Sequence, residues 1–244
     1  MRKSDEYLEK VAQKIEQCRA ASNKIEQFSI ALADTIQAQK KFFAFGTGHS
    51  SLLAQELFYR AGGLVCVQPI LESALMLHES ASKSTQLERV AAYAHVIMRH
   101  YSLQKGDLLL ICSNSGRNPL CVELAVLARQ AGVKIAALTS VAHSLAGASR
   151  HESGLRLLEC ADIVLDNFGE IGDACVGFDG FSARTSPTST VIGAAILQAA
   201  VAETVALLLR RGVAPEVFAS SNIDGGDAKN AAFLERYSKE IRFL

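Results

Sequence analysis

The chain has 244 residues, 49% of them hydrophobic, with four prolines and 25 Lys plus Arg against 25 Asp plus Glu. That composition excludes a disordered chain. A formal net charge of zero gives no global field toward nucleic acid or an anionic membrane, so any anion has to be captured locally.

Taken in chain order, the first segment carries apolar residues at Leu8, Val11, Ile15, Cys18, Ile25 and Leu32, the spacing of a helix seam, and predicts one long helix over 4–38. It has no apolar signal-peptide core, which argues against secretion. "KFFAFG" (41–46) reads as a strand, followed by "TGHS" and a helix that stops at Gly62-Gly63. "LVCVQ" (64–68) reads as a second strand ended by Pro69. At Thr85, "TQLE" matches a capping box and predicts a helix running to about Tyr101. "DLLLICS" (107–113), "VKIAALTS" (133–140) and "CADIVLDN" (160–167) supply three more strands, with the helix "LCVELAVLARQAG" between the first two. A Gly-rich loop or hairpin over 169–187 precedes the apolar "VIGAAILQAAVAETVALLL". Gln198 and Glu203 make that stretch a buried helix rather than a membrane span.

Strands alternating with helices predict parallel pairing through right-handed crossovers. The expected fold is α/β, a three-layer α-β-α sandwich with a five-stranded parallel sheet and a long N-terminal helix. One domain spans 1–244, its core over about 30–212, with helix 4–38 and tail 213–244 as extensions. The six cysteines contain no C-x-x-C pair and read as reduced core residues, which fits a cytoplasmic protein. His95 and His100 are five apart, off a shared helix face, and no metal-ligand spacing is found.

In a doubly wound sheet, ligands sit beyond the carboxyl ends of the strands. "GTGHSS" (46–51) lies at one such end. It fails the dinucleotide fingerprint, because Ser51 replaces the third glycine and Gln68 stands where an acid would hold a ribose. What remains is a tight turn exposing Gly48, His49, Ser50 and Ser51. "SNSGRN" (113–118) lies at the other, with Asn118 and Pro119 forming a helix start whose dipole points at the strand end. Ser113, Asn114, Ser115, Gly116, Arg117 and Asn118 therefore form a candidate phosphate loop. "ARTSPTST" (183–190) marks a third helix start, and Ser189 is a candidate contact to a substrate hydroxyl.

The pair "FGTGHSS" and "SNSGRN" resembles the signature of the SIS (sugar isomerase) domain family over roughly 30–212, and most closely its members related to phosphoheptose isomerases. Asn118 departs from that pattern, where a threonine is usual. The resemblance implies binding of a phosphorylated sugar, with no cofactor and no metal. It favours an aldose–ketose isomerase; a non-catalytic sensor and an etherase on an N-acetylated phosphosugar are the alternatives. Such an isomerase needs a base near C1–C2. The candidates are Glu72, after the second strand, with His78 beyond it, and Glu56 on the helix after the glycine turn. The apolar seam of helix 4–38 implies a homodimer or homotetramer.

Overall fold

Phe42–Gly46 (β1), Leu108–Cys112 (β3) and Lys134–Thr139 (β4) are apolar nearly throughout because both faces of the sheet are covered. A computed structural model describes residues 1–244 and pairs these strands in parallel with Val67–Ile70 (β2) and Ile163–Asp166 (β5), in the order β2-β1-β3-β4-β5. Alternate residues separate cleanly into two cores. Phe42, Ala44, Leu108, Leu110, Ala136 and Leu138 face one layer, while Phe43, Phe45, Leu109, Ile111, Ile135 and Ala137 face the other.

The first layer contains Lys3–Ala20 (α1), Ser22–Gln37 (α2), Ser51–Leu57 (α3) and the long Ser189–Arg210 (α9). By length and composition α9 could cross a membrane. Instead its Ile192, Ile196, Leu197, Ala200 and Val201 are buried in the core. The second layer contains Tyr93–Tyr101 (α5) and Pro119–Gln130 (α6).

Three details differ from the sequence reading. The helix over 4–38 is interrupted at Ala21, which has φ −97° and ψ 22°. Before the break, α1 packs on α9 and on Ala174–Phe178 (β6). After it, α2 packs on α9 and the sheet, and one straight helix cannot follow both courses. The helix expected from Thr85 to about Tyr101 is two: Ala81–Leu87 (α4), with the Ser80 hydroxyl accepting from the Lys83 amide as its cap, and α5, which ends at Tyr101. Thr85 lies inside α4 and donates back to the Ala81 carbonyl. Pro69 does not end β2 but sits within it, opposite Ala44. β2 is an edge strand, where a missing amide donor is tolerated.

The remaining elements close the carboxyl end of the sheet and its β2 edge. Val141–Leu145 (α7) and Leu157–Cys160 (α8) flank the loop after β4. β6 pairs antiparallel with Phe181–Pro187 (β7) as the hairpin before α9. Beyond α9 the chain returns to bond residues 62–65 through Glu216 and Phe218, then forms Gly226–Tyr237 (α10).

Candidate active site at the β1–β3 switch point

After β1 the chain goes out to β2 on one side and returns to β3 on the other. In this strand order, ligands occupy the crevice that opens between the carboxyl ends of β1 and β3. Both sequence-predicted turns stand there.

The first turn is a short 3-10 helix over Gly48–Ser50. Ser51 is buried and its hydroxyl donates to the Gly48 carbonyl at 2.8 Å, while His49 is exposed and Ser50 half-buried. Gly46 is fixed by close approach, since a Cβ there would lie 2.4 Å from the Ser50 carbonyl oxygen. The second turn, 113–118, turns on Gly116 at φ +58°, a conformation that favours glycine. The backbone amides of Asn114, Ser115, Arg117 and Asn118 have no acceptor anywhere in the protein. Four free amides beside the positive end of α6 form a cradle for an anion.

The side chains of this loop divide by role. Ser113 is buried, and its hydroxyl accepts from the Gly116 amide at 3.2 Å, so it shapes the loop from beneath. Asn114 accepts from Asn167 Nδ2 at 2.9 Å and ties the loop to the end of β5. The Ser115 hydroxyl is half-exposed and makes no hydrogen bond within the protein. Arg117 is half-buried, its Nε donating to the Ala148 carbonyl at 2.6 Å. Asn118 occupies the N-cap position of α6 but its side chain does not cap; Oδ1 accepts from Arg150 Nη1 at 2.9 Å instead.

Two residues that the sequence reading did not name as site candidates join the two turns. Thr47 Oγ1 donates to Glu88 Oε2 at 2.9 Å, and the Glu88 carbonyl accepts from the Leu120 amide at the start of α6. The Cys121 thiol contacts the Thr47 and Ser113 hydroxyls; burial, and secondarily the Glu88 charge, push it up to about 12, so it stays protonated. The only sequence signal for Glu88 was its position in "TQLE", which the capping-box pattern claimed for a helix start.

The expected carboxylates already have protein partners. Glu72 accepts from the Tyr93 hydroxyl on α5; burial first, and Glu72 second, push that phenol up to about 12. Glu56 pairs with Arg60 and accepts from Gln198 Nε2 of α9 at 3.2 Å. His78 is exposed in the segment after β2. Ser189 is taken up by Asp173, whose carboxylate accepts from its hydroxyl and from the amides of Thr188 and Ser189 at 3.1 and 2.9 Å. An internal carboxylate thus caps α9 where a substrate contact was expected. No group of three or more His, Cys, Asp or Glu side chains has a metal-holding arrangement.

The fold and this crevice define a doubly wound α/β protein with an anion cradle at its switch point. Residues 6–140 match the SIS domain family, and the chain belongs to that family. Its relatives include the UPF0309 protein of Halalkalibacterium halodurans, 40% identical over 242 residues, covering 99% of this chain and 94% of that one. The UPF0309 protein of Caldanaerobacter subterraneus is 41% identical over 244 residues, covering 98% and 99%. Among solved structures, a phosphoheptose isomerase from Francisella tularensis superposes with a TM-score of 0.53 at 16% identity, over 83% of this chain and 96% of that one. The phosphoheptose isomerase from Neisseria gonorrhoeae gives 0.51 at 15% identity, over 84% and 96%. At such identities these two establish a shared fold.

Proposed function

We propose that the protein binds a phosphorylated sugar with its phosphate on the 113–118 loop, and interconverts the aldose and ketose forms. The observation that carries this reading is the convergence of a free amide cradle and one carboxylate, Glu88, on the same crevice. The amides and the Ser115 hydroxyl take the phosphate oxygens. The exposed His49 and half-buried Ser50 face the sugar from the first turn. Glu88 carries the proton between C1 and C2, with Thr47 holding its second oxygen in place. Neutral donors around the crevice stabilise the enediolate that forms between the two transfers.

Solvent-deuterium exchange at C2 of pentose, hexose and heptose phosphates tests this directly. The wild-type protein is expected to exchange at least one of them. Glu88→Gln is expected to lower exchange by about 10²–10⁴-fold, the usual share of a positioned acid–base group, while binding persists. Tight binding by the wild type without any exchange contradicts the isomerase assignment and leaves a sensor.

Assembly of at least two copies belongs to the same reading. It is supported by Leu8, Val191 and Leu209, large apolar side chains left 64%, 42% and 61% exposed along α1 and α9. Light scattering that finds only monomer at micromolar concentration contradicts it.

A further inference from the structure

We propose that Arg150, delivered by the segment after α7, is the positive charge of the anion cradle and selects a dianionic phosphate ester. This rests on the phosphate reading of the 113–118 loop. The sequence pattern offered Arg117 for that charge; in the structure its Nε donates to the Ala148 carbonyl, on the same segment that carries Arg150.

The argument begins at Asn118. A cap asparagine ordinarily turns its side-chain oxygen onto an amide in the first helical turn. Here that oxygen accepts from Arg150, and the side-chain nitrogen has no acceptor in the protein. Asn118 is only 9% exposed, and the exposed Arg150 reaches its oxygen from the solvent side. This contact leaves α6 without a side-chain cap, and the four free loop amides are not consumed internally.

Arg150 itself takes part in no ion pair, and its bond to Asn118 is its only side-chain hydrogen bond. A guanidinium has five donors in a fixed fork, so four remain for a ligand. The segment carrying it is stapled to the phosphate loop on both sides. The Arg150 amide donates to the Arg117 carbonyl at 3.1 Å, and the Leu157 amide to the Gly116 carbonyl at 2.8 Å. His151 Nε2 lies 2.8 Å from Glu123 Oε2 on α6, and the Ser149 hydroxyl donates to the Leu155 carbonyl at 2.6 Å. The backbone that carries the charge is held against the loop before any ligand arrives, which lowers the ordering cost of binding. Amide dipoles alone accept any small anion. A full charge beside them favours the second negative charge of a phosphate monoester.

Calorimetric titration with inorganic phosphate, at two salt concentrations, tests the assignment. Arg150→Met is expected to weaken binding by about 30-fold or more and to flatten its decline with added salt. Arg150→Gln, which can keep an amide contact to Asn118 and removes only the charge, is expected to show the same loss and the same flattening. Arg150→Lys is expected to recover part of the affinity and the full salt dependence. Phosphate affinity and salt dependence unchanged in whichever of the Met and Gln variants folds would overturn the role of Arg150 alone. A wild-type protein that binds no phosphate overturns the phosphate loop, and this role with it.

Discussion

The hydroxyl of Thr47, one residue past β1, donates at 2.9 Å to the carboxylate of Glu88, just past α4. That bond links the end of β1 to the end of α4 and holds one oxygen of Glu88; under the isomerase reading the other oxygen moves the proton. Thr47→Val removes the donor and keeps the shape. It is expected to lower the rate of C2 exchange by roughly 10-fold with phosphate affinity unchanged, because the carboxylate is misplaced but the cradle is intact. Parallel exchange and binding measurements check the split.

The two serines of the 113–118 loop are expected to fail differently. Ser113→Ala deprives the buried Gly116 amide of its acceptor and is expected to cost about 1–3 kcal/mol of stability in denaturant unfolding. Ser115→Ala removes a hydroxyl with no protein partner. It is expected to leave stability within about 0.5 kcal/mol and to weaken phosphate binding by about 1.5–3 kcal/mol.

Asp173 adopts φ +69° to place its carboxylate on the first amides of α9. Asp173→Ala removes all three of its bonds to Thr188 and Ser189 and is expected to cost about 1–2 kcal/mol, a fall in melting temperature of about 2–8 °C for a chain of this size. An unchanged melting temperature contradicts its role as the cap of α9.

His143 supplies a pH dependence. Its Nδ1 is buried without a partner, and burial lowers its affinity for a proton below the ordinary 6.5; Asp173 opposes that and Arg117 adds to it. The unfolded chain therefore binds this proton more tightly than the folded one. The stabilisation from a neutral His143 is complete above pH 6.5 and is lost as pH falls through the depressed folded value. His143→Gln is expected to flatten the decline of melting temperature below pH 6.5 relative to wild type; parallel acid limbs contradict this.

The strands were legible because a doubly covered sheet demands runs such as "LLLIC", and few other structures tolerate them. The two turns were legible because glycine, serine and a proline-led helix start have local conformational meanings. The pairing of Glu88 with Thr47 was not, since it is created only by the crossover through β2 and α4. The role of Asn118 was hidden for the same reason, its partner Arg150 arriving from beyond β4. Ser80 displaced Thr85 as a cap although both positions carry suitable hydroxyls; local pattern alone ranked them wrongly. Glu72 and Ser189 lie near the expected strand and helix ends, yet Tyr93 and Asp173 already occupy them.

The most direct measurement is a crystal structure of the protein soaked with a hexose or heptose phosphate. The account predicts phosphorus density over the 113–118 loop, within hydrogen-bonding distance of the Ser115 hydroxyl and the free amides of Asn114, Ser115, Arg117 and Asn118, with the sugar reaching toward Glu88. Density for the ester at any other place, with that loop unoccupied, contradicts it.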